Sequence, residues 1–202
     1  LTPQERGEYL DVATRQSQRI GLLVEQLLEA AKLEAGQVTV NVEPFPIGEL
    51  LQDVVQKFAL AARDCGVALD VDAMAAATMV SGDIALLERV LDNLIDNALR
   101  HTPVGGRVTV QSQPRGERVR IAVIDSGPGL TREEAERAFE RFYRGDPGRS
   151  TRSGQSGLGL AIVKSILELH GSNIAVDSQP GHGASFYFEL PIVTQPARTA
   201  PT

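Results

Sequence analysis

Asn93 and Asn97 stand four residues apart, and His101 stands four further on. They fall in a segment where Leu87, Val90, Leu91, Leu94, Ile95 and Ala98 recur at threes and fours. On a helix the three polar residues therefore share one face. Amides are mediocre helix formers, so two on one face ask for a reason. One reason is a hard divalent cation held through an amide oxygen, with phosphate oxygens completing its shell. The other is ordinary capping and surface hydrogen bonding. A second candidate is Asp125-Ser126-Gly127-Pro128-Gly129, which follows an apolar strand-like run containing Val123 and Ile124. A carboxylate at a strand end can accept hydrogen bonds from an amine or amide. Gly127 and Gly129 would let a ligand approach the backbone, although a tight turn accounts for the same residues. A third candidate, Gly154-Gln155-Ser156-Gly157-Leu158-Gly159-Leu160, opens a helix. Unpaired N–H groups and the helix dipole favour phosphate there. It is not a P-loop, because no Gly-Lys-Ser/Thr follows at the required spacing. It is not a dinucleotide fingerprint either, because a long polar loop and not a strand precedes it.

The loop before that helix carries Arg141, Arg144, Arg149 and Arg152 among Gly145, Gly148 and Gly154. A basic loop in an acidic protein complements a polyphosphate; a solvated loop with incidental arginines is the alternative. Phe139 and Phe142 beside it suit anchoring to the domain. Other chemistries find little support. The single cysteine, Cys65, forms no intrachain disulfide and reads as structural. His170 ends a helix beside Gly171, where dipole compensation explains it, and His182 lies in a Pro-Gly-His-Gly turn. The three histidines share no metal-ligand spacing, and no Gly-x-Ser-x-Gly elbow is present. With 26 acidic and 20 basic residues the formal charge is -6, which argues against a globally basic nucleic-acid binder. Hydrophobic residues make up 42% and charged residues 23% of the 202, the balance of a soluble globular protein with a real core. No apolar run reaches the ~18–20 residues that span a bilayer, and no signal peptide is evident.

Periodicity supplies the elements that must position these groups. Val12, Ala13, Ile20, Leu23, Val24, Leu27, Leu28 and Ala31 predict a helix from about Tyr9 to Glu34, with Thr2-Pro3-Gln4-Glu5 as its start and Gly36 as its stop. Its narrow apolar stripe suits packing against another helix; a helix lying on its own domain is the alternative. Val38, Val40 and Val42 alternate as in a half-buried strand that Pro44 and Pro46 break. A second amphipathic helix runs from Ile47 to Arg63. A short strand follows at Val67–Val71, and a third helix, capped by Asp83, reaches about Arg100. Two strands near Val108–Ser112 and Arg118–Ile124 precede a short helical piece around Glu133–Phe139. The last helix spans Leu158–Leu169, and Ile174–Ser178 and Ala184–Leu190 are the last strands. The expected fold is α+β: a two-layer sandwich of a mixed five-stranded sheet covered on one face by three helices, preceded by a long helical arm. The expected divisions are a helical arm at 1–35, a compact domain at 36–190 and a tail at 191–202.

Five segments together resemble the catalytic and ATP-binding domain of bacterial sensor histidine kinases, within the ATPase family shared with DNA gyrase B, a heat-shock chaperone and MutL. Leu91 to Pro103 resembles the N box and Asp125 to Gly129 the first glycine box. Phe139 to Arg144 resembles the F box, Gly157 to Lys164 the second glycine box, and Gly181 to Phe186 the last glycine motif. The resemblance covers about Val38 to Leu190. Tyr9 to Gly36 is similar to the second helix of the dimerisation and phosphoacceptor hairpin.

The resemblance implies ATP and Mg²⁺ as cofactors, with Asn97 as the metal ligand. It places Asn93, Arg100 and His101 on the phosphate side, and Asp125 on the adenine exocyclic amine. Gly127 and Gly129 would lie against the base. Gly157, Leu158, Gly159 and Leu160 would present the phosphate-binding helix start. Arg144 or Arg141 would sense the phosphate, and residues 145–155 would form a lid. Catalysis would rest on Asn93, Asn97, Arg100 and Arg144. Gln155 stands where the family often has glycine. The phosphoacceptor box is absent, since none of His101, His170 and His182 has its context. The chain starts at Leu1 in a polar segment and reads as a piece of a longer protein that binds ATP but does not phosphorylate itself at the usual site. The parent is expected to be a homodimer through the hairpin, set in the bacterial membrane with this region cytoplasmic. It would pass phosphate to a response-regulator receiver domain. No nucleic acid and no membrane contact are expected for this region. A non-catalytic docking module is the alternative function.

Overall fold

The computed structural model describes residues 2–143 and 157–193. Helix α1 spans Pro3–Glu34, 32 residues, or ~48 Å at 1.5 Å per residue. It ends where Gly36, at φ +63°, lets Gly36 N donate to Leu33 O and Gln37 N donate to Lys32 O. This is the two-bond stop that a left-handed residue permits. The same pair of bonds ends α2 (Ile47–Cys65) at Gly66 and α5 (Gly159–Leu169) at Gly171.

Strands β2 (Ala68–Ala73), β4 (Arg107–Arg115), β5 (Arg118–Asp125), β7 (Ala184–Pro191) and β6 (Ala175–Ser178) form one sheet in that spatial order. The β2–β4 pair is parallel, and the other pairs are antiparallel. Alternation sets the two faces. Val108, Val110, Val119, Ile121, Val123, Phe186, Phe188 and Leu190 point into the core. Helices α2, α3 (Ile84–His101) and α5 cover that face with Leu51, Val54, Leu87, Leu91, Leu94, Ile95, Ile162, Ile166 and Leu167. The other face is polar and cross-linked between strands. Arg107 pairs with Asp70, Gln111 Nε2 donates to Asp72 Oδ2 at 2.9 Å, and Arg120 pairs with Glu189 at 3.1 Å while lying over the Tyr187 ring.

Two local expectations change. Val38–Val42 is not a strand; the strand is β1 (Glu43–Pro46), which contains both prolines. It pairs with a strand absent from the sequence reading, β3 (Met79–Gly82), in a separate two-stranded ribbon. In that ribbon β1 has one neighbour, and an edge tolerates the missing proline N–H groups. The valine alternation instead marks an extended segment on the domain surface, where Val38 packs on the core and Asn41 N donates to Asp83 Oδ2 at 2.8 Å. Backbone pairing also continues past Pro191, since Ile192 bridges Val80 and Val193 N donates to Met79 O. The rest of the expected tail lies outside the described residues.

The last turns of α1 dock on the domain. Ala30 and Leu33 are buried, and Arg89 of α3 holds Glu29 through both its Nε and Nη2 atoms. Further back, Tyr9, Leu10, Ile20, Val24, Leu27 and Leu28 are exposed.

A methyl group at Gly171 would meet no neighbour within 4 Å, so its substitution tests backbone conformation alone. Gly171→Ala is expected to cost about 1–2 kcal/mol, the left-handed penalty. Gly171→Asn should lose less. Urea unfolding midpoints check both.

Candidate functional site

The site lies where one end of α3, the end of β5 and the start of α5 approach one another. Helix α3 begins at Asp83, whose Oδ1 accepts from Leu86 N at 3.1 Å. Its apolar face is buried against the sheet, which leaves Asn93, Asn97 and His101 half-buried along its flank. Asn93 Nδ2 donates to Arg89 O at 2.8 Å. That bond leaves its amide oxygen facing the start of α5, where a Cβ on Gly159 would lie 2.9 Å from Asn93 Oδ1. Eight residues separate Asn93 from His101, which is about 12 Å of helix. Thr102 caps the far end, with its hydroxyl donating to Ala98 O at 2.7 Å.

At that far end sits Asp125, only 7% exposed. Its Oδ1 accepts from Gly127 N at 2.8 Å. Burial pushes the carboxyl above the usual aspartate range; the N–H groups of Gly127 and Ala184 and the neighbouring His101 oppose the rise. The loop after Asp125 is fastened to the β6–β7 turn. Gly181 N donates to Pro128 O, and Leu130 N donates to Ser178 Oγ, which itself donates to Gly183 O at 2.6 Å. Side chains are excluded at two points of closest approach. A Cβ on Gly129 would lie 2.0 Å from Gln179 O, and one on Gly183 would lie 1.9 Å from Asp125 O. Ser126 completes the frame, with its Oγ accepting from Arg107 N at 2.8 Å.

Helix α5 opens the third wall. Phe142 N donates to Gly157 O at 2.8 Å, joining the F-box segment to the start of α5. Phe142 takes a left-handed φ of +58° there, and its side chain is exposed. Phe139 packs edge-on against Phe186, which anchors the segment after α4 (Arg132–Arg137) to the sheet. Leu158 is buried and Leu160 packs against the core. Contact with a ligand from either residue would run through backbone atoms.

The sequence candidates therefore come together in part. His101, Asp125 and Gly127 adjoin one another, and Asn93 adjoins Gly159. Asn97 lies on the turn between those two groups. Arg100 is ion-paired with Asp96 at 2.8 Å on its own helix. Arg141 is exposed beside Phe142, while Arg144 and the expected lid, 145–155, lie outside the described residues. Sequence reading missed Thr102, Ser126, Ser178 and the N–H of Ala184. Ser178, two residues before a Pro-Gly turn, and Thr102, whose partner Ala98 is one turn back, carried usable local signals; Ser126 and Ala184 meet partners distant in the chain.

In chemical terms the site offers a buried carboxylate for an amine at one end and backbone donors at a helix start at the other. A two-layer α+β fold with this site defines a class of ATPase. The chain belongs to the family described as histidine kinase-, DNA gyrase B-, and HSP90-like ATPase, which matches residues 82–194. Within that family it is the ATP-binding catalytic domain of the bacterial sensor histidine kinase type. It is 36% identical over 180 residues to the sensor-like histidine kinase SenX3 of Mycobacterium tuberculosis, covering 89% of this chain and 44% of that protein. Full-length ShkA, solved with AMPPNP, superposes with a TM-score of 0.80 at 30% identity over 98% of this chain and 41% of that one. Histidine kinase ThkA, solved with the response regulator protein TrrA, superposes with a TM-score of 0.76 at 25% identity over 96% of this chain and 53% of that one. The chain thus spans less than half of SenX3.

The raised pKa of Asp125 means that the folded state binds this proton more readily than the unfolded state. Its contribution favours folding in acid and is lost as pH rises through the raised value. Asp125→Asn removes that dependence. The variant's stability relative to the parent should increase from acid to neutral pH, as read from urea midpoints. A variant whose stability relative to the parent falls with rising pH contradicts the assignment.

Proposed function

We propose that residues 36–190 bind Mg²⁺–ATP and transfer its γ-phosphoryl group to a histidine outside these residues, for relay to a response-regulator aspartate. The observation that carries this reading is the pairing of two unlike subsites about 12 Å apart along α3. One is the buried Asp125 carboxylate beside His101, and the other is the start of α5 against Asn93. A nucleotide laid along α3 would put its base at the first and its phosphates at the second. Asp125 would accept the adenine amine and reject guanine, which presents a carbonyl there. Gly127 and Gly129 would admit the flat base, and the N–H groups near Gly157 and Gly159 would take the phosphates.

Asn97 offers a hard amide oxygen midway between the subsites. Among the described residues no group of three or more His, Cys, Asp or Glu side chains could hold a metal. A single amide oxygen would suit Mg²⁺, which keeps its waters and is completed by substrate phosphates. When bound, the ion would neutralise phosphate charge. Asn93, Arg100, His101 and either Arg141 or Arg144 would orient the phosphates. In the transfer, the bond from the γ-phosphorus to its bridging oxygen breaks and a phosphorus–nitrogen bond to the acceptor imidazole forms, leaving ADP. Positioning and charge neutralisation account for the acceleration.

A hydrolytic ATPase needs an acid free to activate water. Glu88, the acid nearest the front of α3, is ion-paired along with Asp92 to Lys57 of α2 at 2.9 and 2.7 Å, which weighs against such a role. ThkA's complex with a response regulator supports a receiver domain as the eventual partner. The exposed stripe Ile20, Val24, Leu27 and Leu28 on α1 supports pairing through a helical hairpin in a parent homodimer. The same stripe favours the second reading, a docking module without catalysis. No helix among the described residues is long and apolar enough to cross a membrane. We place the parent in the bacterial membrane with this domain on the cytoplasmic side, by likeness to sensor kinases.

Calorimetric titration should give saturable ATP binding that needs Mg²⁺, with GTP at least roughly tenfold weaker, the loss expected from an unpaired polar contact. Asn97→Ala should remove the Mg²⁺ dependence. Labelled ATP should then phosphorylate a separately supplied hairpin carrying the acceptor histidine. ATP binding without transfer to that hairpin favours the docking module.

A further inference from the structure

His170 lies at the opposite end of α5 from the phosphate subsite, yet its ring is bonded at both nitrogens. Asp83 N lies 3.0 Å from Nε2, and Ile166 O lies 2.8 Å from Nδ1. A backbone N–H can only donate and a carbonyl can only accept, so Nε2 is the acceptor and Nδ1 carries the proton. Asp83 is itself fixed, capping α3 through Oδ1 and holding the α1–β1 connection through Oδ2. The ring sits over Gly82, where a Cβ would come within 3.3 Å of His170 Cδ2.

The two helices are antiparallel and meet at two points, His170 with Asp83 and Gly159 with Asn93. Asp83 to Asn93 is ten residues and Gly159 to His170 is eleven, so the two spans match at about 15–16 Å. Between them the buried Leu87, Leu91, Ile162 and Ile166 contribute apolar packing, which has no preferred direction along the axis. A slip of one residue moves a helix by about 1.5 Å, enough to break the bond between Asp83 N and His170 Nε2.

Resting on the reading of this site as an ATP site, we infer that His170 is a positioning residue for the phosphate end of the nucleotide. Its bond to Asp83 N sets the axial register of α5 against α3. That register aims the N–H groups at the start of α5 toward the Asn93 face.

The test compares Mg²⁺–ATP and adenosine binding to the parent, His170→Phe and His170→Gln. Phe keeps a ring without an acceptor, whereas Gln can place a carbonyl oxygen near Nε2. His170→Phe should weaken ATP roughly tenfold, the effect of one orphaned donor. Adenosine, bound at the Asp125 end and followed by NMR, should be unchanged, and His170→Gln should restore ATP affinity. Equal weakening of ATP and adenosine, or unchanged ATP affinity in His170→Phe, overturns the inference. If His170→Phe does not fold, His170→Asn against His170→Gln decides. Asn cannot reach Asp83 N and should weaken ATP, and equal affinities of the two variants overturn the inference. A parent that binds neither ligand refutes the ATP site itself.

Discussion

A carboxylate withdrawn from water at the end of a central strand is the constraint on which this site depends. Asp125 is nearly buried, and its desolvation is opposed by the N–H groups of Gly127 and Ala184 and by the neighbouring His101. A buried charge is tolerated only among donors, so the backbone on both sides of Asp125 must close around it. That closure leaves no space for side chains at Gly129 and Gly183, and it lashes the loop to the β6–β7 turn through Ser178. The glycines of two distant motifs thus let two backbone segments meet beside one carboxylate.

The helical layer carries the other half of the site and is held by different forces. Apolar burial presses α3 and α5 onto the sheet without fixing how far along each other they lie. A directional bond does that, from Asp83 N to His170 Nε2 at one end, while Gly159 lies close to Asn93 at the other. Because α3 also carries His101 beside Asp125, the distance between base and phosphate subsites is a property of one rigid rod.

Among the described residues, the arm joins this frame through polar and apolar contacts in its last turns. Glu29 reaches Arg89, whose carbonyl accepts from Asn93, so a single turn of α3 touches both the arm and the site. The pair is partly exposed and screened by solvent, which makes it a weak hold on α1. The buried Ala30 and Leu33 supply the rest.

Local physics made much of this legible beforehand. Helical periods located α1, α2, α3 and α5. The Gly36 and Gly171 stops followed from left-handed capping, and Asp83 was readable as a cap from its place before an apolar period. Strand alternation put Asp125 at a strand end, and the family motifs joined the candidates into one site. Contacts between residues far apart in sequence were not legible. The Val38–Val42 alternation looked like a strand because a half-buried extended segment has the same period with or without a ladder partner. Strand β3 is four residues long, too short to announce itself, and it forms because β1 needs a neighbour. His170 looked like a dipole-compensating end residue until Asp83 appeared against it, 87 residues away. Sequence alone therefore determined the helices, the five strands of the main sheet and the residue types that could meet a nucleotide, since these rest on local periods and short motifs. Tertiary structure alone decided how deeply Asp125 is buried and the register of α5 on α3, because both depend on groups that only the completed fold brings together.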